Sequence, residues 1–254
     1  MVKTEKVDFI INDLDNATGK ASKSTYSMEV SQLTTVLDAL ISIKEKQDAK
    51  VSFRYSCRMA ICGSCSMVIN GKPSLACNTR VALLNSKTVE VAPLRGQPIL
   101  RGLVSDFDDF FKKHKSVKPW IVHKDSAEKF RDDKVYKQSD EERDRYLPFS
   151  GCIKCGLCLD ACPVVNTEKG FVGPQALAQA YRYNEDTRDE GKSERLDYLD
   201  TLNGIWGCEY AGACSEVCPK SVDPALAIQL LKFDSIMQSS KRGQKPAKTE
   251  PGKK

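Results

Sequence analysis

Cys152-Ile153-Lys154-Cys155-Gly156-Leu157-Cys158-Leu159-Asp160-Ala161-Cys162-Pro163 sets four thiols at the spacing C-x2-C-x2-C-x3-C-P. This is the bacterial ferredoxin run, whose fourth cysteine in two-cluster proteins ligates the other cluster. A partner run should follow, and Cys208, Cys214 and Cys218-Pro219 supply one at C-x5-C-x3-C-P. Exchanging the cysteines before the two prolines completes a [4Fe–4S] set of Cys152, Cys155, Cys158 and Cys218. Cys162 then joins Cys208 and Cys214. A full second run would carry a cysteine where Ala211 stands, and alanine cannot ligate iron. The expected product of this three-thiol set is a [3Fe–4S] cluster, the alternative being a labile [4Fe–4S] with an outside ligand.

Upstream, Cys57, Cys62, Cys65 and Cys77 read C-x4-C-x2-C-x11-C, the plant-type [2Fe–2S] spacing. A tight loop delivers three thiolates and a neighbouring segment returns the fourth. Gly63 allows close backbone approach and positive φ. Backbone N–H groups and the Ser56 or Ser64 hydroxyls are candidate donors to the sulfurs, and Arg58 adds positive charge beside Cys57. The three groups use all 11 cysteines, so no thiol is left over. Structural zinc is the rival metal, but these cysteines do not form the two C-x2-C pairs it favours. Disulfides suit short secreted chains, which this is not.

The 254 residues allow two modest domains. Val7 to Ile11, Tyr26 to Val30, Ser66 to Asn70 and Val89 to Val91 read as strands. Thr34 to Lys46 reads as a helix with Leu33, Val36, Leu37, Leu40, Ile41 and Ile43 near one face. Asn70-Gly71-Lys72-Pro73 marks a turn. Beyond residue 98 the pattern turns helical: Leu100 to Lys115, Ala176 to Tyr183, Arg195 to Leu202 and Pro224 to Ser235, with Lys124 to Arg145 mixing helix and loop. The expected fold is α+β, with a [2Fe–2S] domain over 1–105, a mainly α-helical cluster domain over 106–240, and a basic, disordered tail over 241–254.

The net charge of +5 resides in that tail, where six basic residues face Glu250 alone. It reads as a solvated end, or else as an anionic-membrane contact. No basic patch interleaved with aromatics suggests nucleic acid. The longest uncharged stretch, Met59 to Gly71, is too short to span a bilayer. Lys3, Glu5, Lys6 and Asp8 break any apolar leader. The expected protein is soluble, kept where thiols stay reduced, and reaches a membrane only through a partner. No G-x-G-x-x-G fingerprint for a flavin or nicotinamide is present. His114 and His123 lie outside the cysteine groups and read as surface residues. The chain therefore reads as an electron carrier with no catalytic residue of its own, the organic chemistry belonging to another subunit.

An N-terminal plant-type centre followed by a two-run ferredoxin segment lacking its middle cysteine resembles the iron–sulfur subunit of the succinate dehydrogenase and fumarate reductase family. The likeness spans about residues 5 to 238. It is carried by Ser56 to Cys65, Ser74-Leu75-Ala76-Cys77, Phe171-Val172-Gly173-Pro174, Arg182-Tyr183-Asn184-Glu185-Asp186-Thr187-Arg188-Asp189, and Cys214-Ser215-Glu216-Val217-Cys218-Pro219-Lys220. The last two stretches look closest to bacterial fumarate reductases. The resemblance implies a plant-type ferredoxin (β-grasp) domain before a bacterial-ferredoxin-like helical domain. It implies a flavoprotein partner with covalent FAD, a transmembrane anchor with or without haem (a cytochrome b), and a quinone such as menaquinone. It places the chain on the cytoplasmic face of the bacterial inner membrane, in anaerobic respiration or, in the opposite direction, in the citric acid cycle. In some relatives a glutamine and a lysine after the last cysteine enter the quinone pocket, and Gln229 and Lys232 match them. A family tryptophan near that pocket has no counterpart in Pro163-Val164-Val165-Asn166. The rivals are the iron–sulfur subunit of another flavin-linked respiratory dehydrogenase and a zinc-bearing binding module.

Overall fold

The computed structural model describes residues 4–15, 20–124 and 135–243. Strands β1 (Thr4–Asp15) and β2 (Lys20–Ser31) form a long antiparallel pair. β1 also pairs in parallel with β5 (Thr88–Ala92). β5 continues antiparallel to β3 (Ser66–Ile69), and β3 to β4 (Lys72–Leu75), giving the sheet order β2-β1-β5-β3-β4. Helix α1 (Val36–Lys46) covers the sheet. Thr35 and Asp38 form a reciprocal capping box at its start, the Thr35 hydroxyl accepting from Asp38 N and the Asp38 carboxylate from Thr35 N, each at 3.1 Å. Val36, Leu37, Leu40 and Ile43 pack with Val7, Phe9, Ile11 and Met67 in a first hydrophobic core. Leu33 lies outside the helix and is exposed.

Two local expectations give way here. Asn70 and Gly71 adopt φ of 47° and 78°, both left-handed, as a two-residue type I′ hairpin requires. The chain therefore returns at once as β4, and Pro73 is tolerated because β4 is an edge strand. Leu100 to Ser105 is not helical: β6 (Ile99–Arg101) and β7 (Val104–Ser105) form a hairpin around Gly102, whose φ is +59°. A Cβ there would lie 2.9 Å from the Ser52 carbonyl, which accepts instead from Leu103 N. Only Asp108–Ser116 forms the helix, α2.

The remaining chain is a helical layer. It comprises α3 (Asp140–Ser150), α4 (Leu157–Asp160), α5 (Pro163–Thr167), α6 (Pro174–Asn184), α7 (Lys192–Leu199), α8 (Ala213–Glu216) and α9 (Pro224–Gly243). α7 starts and ends about one turn earlier than the pattern suggests. α9 runs eight residues past Ser235, so the first three residues expected in a disordered tail are helical; 244–254 lie outside the described residues. Phe110, Phe149, Phe171, Leu177, Leu196, Ile228 and Leu231 are central to the second core. The two layers are stitched together. Leu157 belongs to the first core, and the buried Asp160 carboxylate accepts from Arg95 N and, at 3.1 Å, from the Arg95 guanidinium. Among the described residues no helix is long and apolar enough to cross a membrane.

Candidate metal centres

The Cys57–Cys65 loop turns its amides inward. Arg58 and Ala60 both have φ of 57° and Gly63 has 74°. These left-handed residues bring Met59 N, Ile61 N and Cys62 N to 3.5, 3.3 and 3.2 Å from Cys57 Sγ. Ser64 N lies 3.5 Å from Cys62 Sγ, and Cys77 N lies 3.5 Å from Cys65 Sγ. Such donors stabilise thiolate. The Ser64 hydroxyl, then the amides of Cys57 and Ser64, bring the exposed Cys62 thiol down to about 6. Burial pushes Cys65 the other way, up to about 12. Iron must therefore displace a proton from Cys65, while Cys62 is largely ready. Of the two serines considered from sequence, Ser64 is the one bonded to a cysteine sulfur. Arg58 places its guanidinium 5.4 Å from the Tyr55 ring centroid.

Gly63 brings this loop against the next one. A Cβ at Gly63 would meet Cys155 Cβ at 2.9 Å, Cys155 Cα at 3.0 Å and the Ile153 carbonyl at 3.2 Å. Both its φ and this contact exclude a larger residue. Gly63→Ala should cost roughly 1–3 kcal/mol by overpacking and strain. The expected outcome is a lower melting temperature and a weakened two-iron EPR signal in the purified protein. A variant with wild-type signal and melting temperature would refute the contact.

The two later runs repeat one backbone. Lys154 and Tyr210 have φ of 56° and 57°, and Gly156 and Gly212 have 80° and 75°. Each glycine caps a four-residue helix, α4 or α8, that carries the next cysteine, Cys158 or Cys214. Cys155 and Ala211 therefore occupy equivalent places. Cys152, Cys155, Cys158 and Cys218 line one cavity of about 410 Å³. Cys162, Cys208 and Cys214 line another of about 370 Å³, with Ala211 in its wall. Desolvation pushes Cys155 and Cys214 up to about 11, Cys162 upward, and Cys158 well above the ordinary thiol range. Among the described residues no group of three or more His, Cys, Asp or Glu converges on a point suited to one metal ion. Thiols that line a wall without converging on one point fit a multi-iron group better than zinc, which needs its sulfurs at about 2.3 Å.

The quinone candidates sit beside the second cavity. The Lys232 amine donates to the Cys208 carbonyl at 2.9 Å and lies 5.8 Å from the Trp206 ring centroid. Gln229 Nε2 is buried without a hydrogen-bond partner among the described residues. Lys232 is thus neither solvent-facing nor free. Trp206 escaped the sequence reading, although it stands two residues before Cys208. Tyr210, in the same cysteine run, and Leu226, Phe233, Ile236 and Met237, on α9, are exposed. His114 is not a surface residue: it is 8% exposed and its Nδ1 meets Gln175 Nε2 at 3.2 Å. His123 is half-buried against Tyr136, with ring centroids 5.5 Å apart.

Fold and thiols define the class, an iron–sulfur protein with one ferredoxin-type loop and a two-run helical segment. The family models agree. Residues 9–112 match a 2Fe-2S iron-sulfur cluster binding domain, and residues 148–222 a 4Fe-4S dicluster domain. The fumarate reductase iron-sulfur subunit of Mycobacterium tuberculosis (strain CDC 1551 / Oshkosh) is 45% identical over 217 residues, 85% of this chain and 87% of that one. That of Escherichia coli O6:H1 is 44% identical over 212 residues, 83% and 84% of the two chains. A chain of the Mycobacterium smegmatis Sdh1 complex in the apo form superposes with TM-score 0.84 at 25% identity, covering 94% of this chain and 98% of that one. The chain belongs to the iron–sulfur subunit family of fumarate reductase and succinate dehydrogenase, and its role is electron transfer within such an enzyme.

Proposed function

We propose that this chain is the electron-transfer subunit of a membrane-bound quinol:fumarate reductase. It would carry electrons from quinol to the covalent FAD of a flavoprotein subunit. The observation that carries the reading is the order of the thiol sets. The four-thiol loop packs against the complete run through Gly63 and Cys155, the complete run's Cys158 lies near Cys214, and the set broken at Ala211 is walled by Ala225 and Ile228 of α9. Cys57, Cys62, Cys65 and Cys77 would hold [2Fe–2S]. Cys152, Cys155, Cys158 and Cys218 would hold [4Fe–4S], and Cys162, Cys208 and Cys214 would hold [3Fe–4S]. Bound there, these groups supply one-electron redox centres in series. The protein's own part is to supply thiolates, direct amides at their sulfurs and exclude water from the second and third sets.

On this reading the chain divides near Ser105, with the [2Fe–2S] domain over 1–105 meeting the flavoprotein and the helical domain over 106–240 meeting a transmembrane anchor. The exposed Tyr210, Phe233, Ile236 and Met237 suit an apolar partner. Gln229 Nε2, unpartnered among the described residues, is a ready donor for a quinone carbonyl, and Lys232 a second donor once released from Cys208. The complex would sit on the cytoplasmic face of the bacterial inner membrane. The likeness to the Sdh1 complex chain favours, as the second reading, the same wire run from succinate to quinone.

EPR-monitored redox titration of the purified complex tests this. Three distinct centres and about nine irons per chain are expected. Two centres, or a third with four stable irons, would overturn it. Potentials well below the succinate couple favour fumarate reduction; potentials near it favour the second reading.

A further inference from the structure

Gln175, at the second position of α6, is 3% exposed and lines the cavity of the complete run. Its Nε2 lies 3.9 Å from Cys152 Sγ and 3.2 Å from His114 Nδ1. An amide nitrogen has two protons, so one can go to each, provided the imidazole nitrogen is an acceptor. Burial, helped by the Lys154 charge, holds His114 down to about 4, so its ring is neutral at physiological pH. In the neutral tautomer that carries its proton on Nε2, Nδ1 accepts from the amide and so fixes which end of Gln175 points at the sulfur. The reversed amide would set its oxygen against both the ring lone pair and a thiolate.

We propose that Gln175 sets the reduction potential of the centre held by Cys152, and that His114 is the residue that orients it. The inference rests on Cys152 being a cluster ligand, as assigned above. Reduction adds negative charge that spreads onto the ligand sulfurs. A donor aimed at one of them favours the reduced state and raises the potential. The contact is buried, so little solvent screening weakens it. Gln179, one turn further along α6, is also buried, but its Nε2 donates at 3.0 Å to the Phe149 carbonyl and touches no sulfur. It therefore controls for the loss of a buried amide in the same helix.

The test is redox titration of the assembled complex, followed by the EPR signal of the four-iron centre. With Gln175→Leu the ratio of reduced to oxidised centre at a fixed potential should fall about tenfold, or about 59 mV for a one-electron couple. Losing an outer partner of a metal ligand costs about 10–100-fold in metal affinity or activity, and the tenfold redox change expected here takes the low end of that scale because the contact is long. His114→Leu should shift the same centre in the same direction by less. Gln179→Leu should leave it in place, and the other two centres should not move in any variant. Should the Leu variant lose the cluster, Gln175→Met decides: of similar length and uncharged but without a donor, it must also lower the potential. An unmoved midpoint with the cluster present, or an equal shift with Gln179→Leu, overturns the proposal. If the wild-type complex has no four-iron centre, the ligand assignment fails instead.

Discussion

Ala211→Cys is expected to turn the third centre from three irons into four. The argument is positional. Ala211 lies between Tyr210 and Gly212, which share the left-handed conformations of Lys154 and Gly156 around Cys155. A thiol added at Ala211 would thus enter the cavity of Cys162, Cys208 and Cys214 from the same backbone position as Cys155 in its own. Nothing lies within 4 Å of a Cβ built on Gly212, so the loop has room to adjust. Iron content should rise from about nine to about ten per chain, and the three-iron EPR signal of the oxidised protein should disappear. Cluster type sets reduction potential, so quinone-linked turnover should fall ~10-fold or more, at least the scale of a lost outer partner of a metal ligand. An unchanged three-iron signal in a correctly folded variant would mean that Ala211 is not the missing corner.

That equivalence was legible in the sequence because ligand spacing is a local property. C-x2-C-x2-C dictates where thiols fall on a short loop, whatever surrounds it. α1 was legible for a similar reason: its apolar spacing and the Thr35 cap are written in adjacent residues. What escaped depended on distant partners. Leu100 to Lys115 has helical periodicity, yet Gly102 must yield to Ser52, fifty residues away, and the hairpin wins. Pro73 argues against a strand unless the strand is known to be an edge. His114 reads as a surface residue because it lies outside the cysteine groups; only the packing of α6 on α2 buries it beside Gln175. The reading of Lys232 rests on the family resemblance, which does not show that its amine is held by a carbonyl of the cysteine loop.

Arg195→Met is expected to be the most destabilising single change outside the thiols. Arg195 is 2% exposed, and its guanidinium makes a bidentate pair with Asp189 at 2.6 and 2.8 Å. The same group donates to the carbonyls of Val117 at 3.0 Å, Lys118 at 2.9 Å and Trp120 at 2.9 Å. Asp189 in turn accepts from Val122 N at 2.8 Å and Gly191 N at 2.7 Å. One ion pair thus fastens the segment leaving α2 to the start of α7. Methionine preserves much of the volume but leaves a buried carboxylate without its cation and, among the described residues, the Val117 and Trp120 carbonyls without a donor, while the Lys118 carbonyl keeps Trp120 N at 2.8 Å. Breaking such a pair costs about 3–5 kcal/mol, against a total stability of about 5–15 kcal/mol. The melting temperature should fall by roughly 10 °C, read by circular dichroism beside the bleaching of cluster absorbance. Arg195→Lys should recover little, because a single ammonium cannot serve the carboxylate and the separate carbonyls together. Adding Asp189→Leu to Arg195→Met should recover part of the loss, since it removes the stranded charge, though Val122 N and Gly191 N then lose their acceptor. A fall of under 2 °C for Arg195→Met would show that the pair merely balances its own desolvation and that the packing of α7 holds the connector without it.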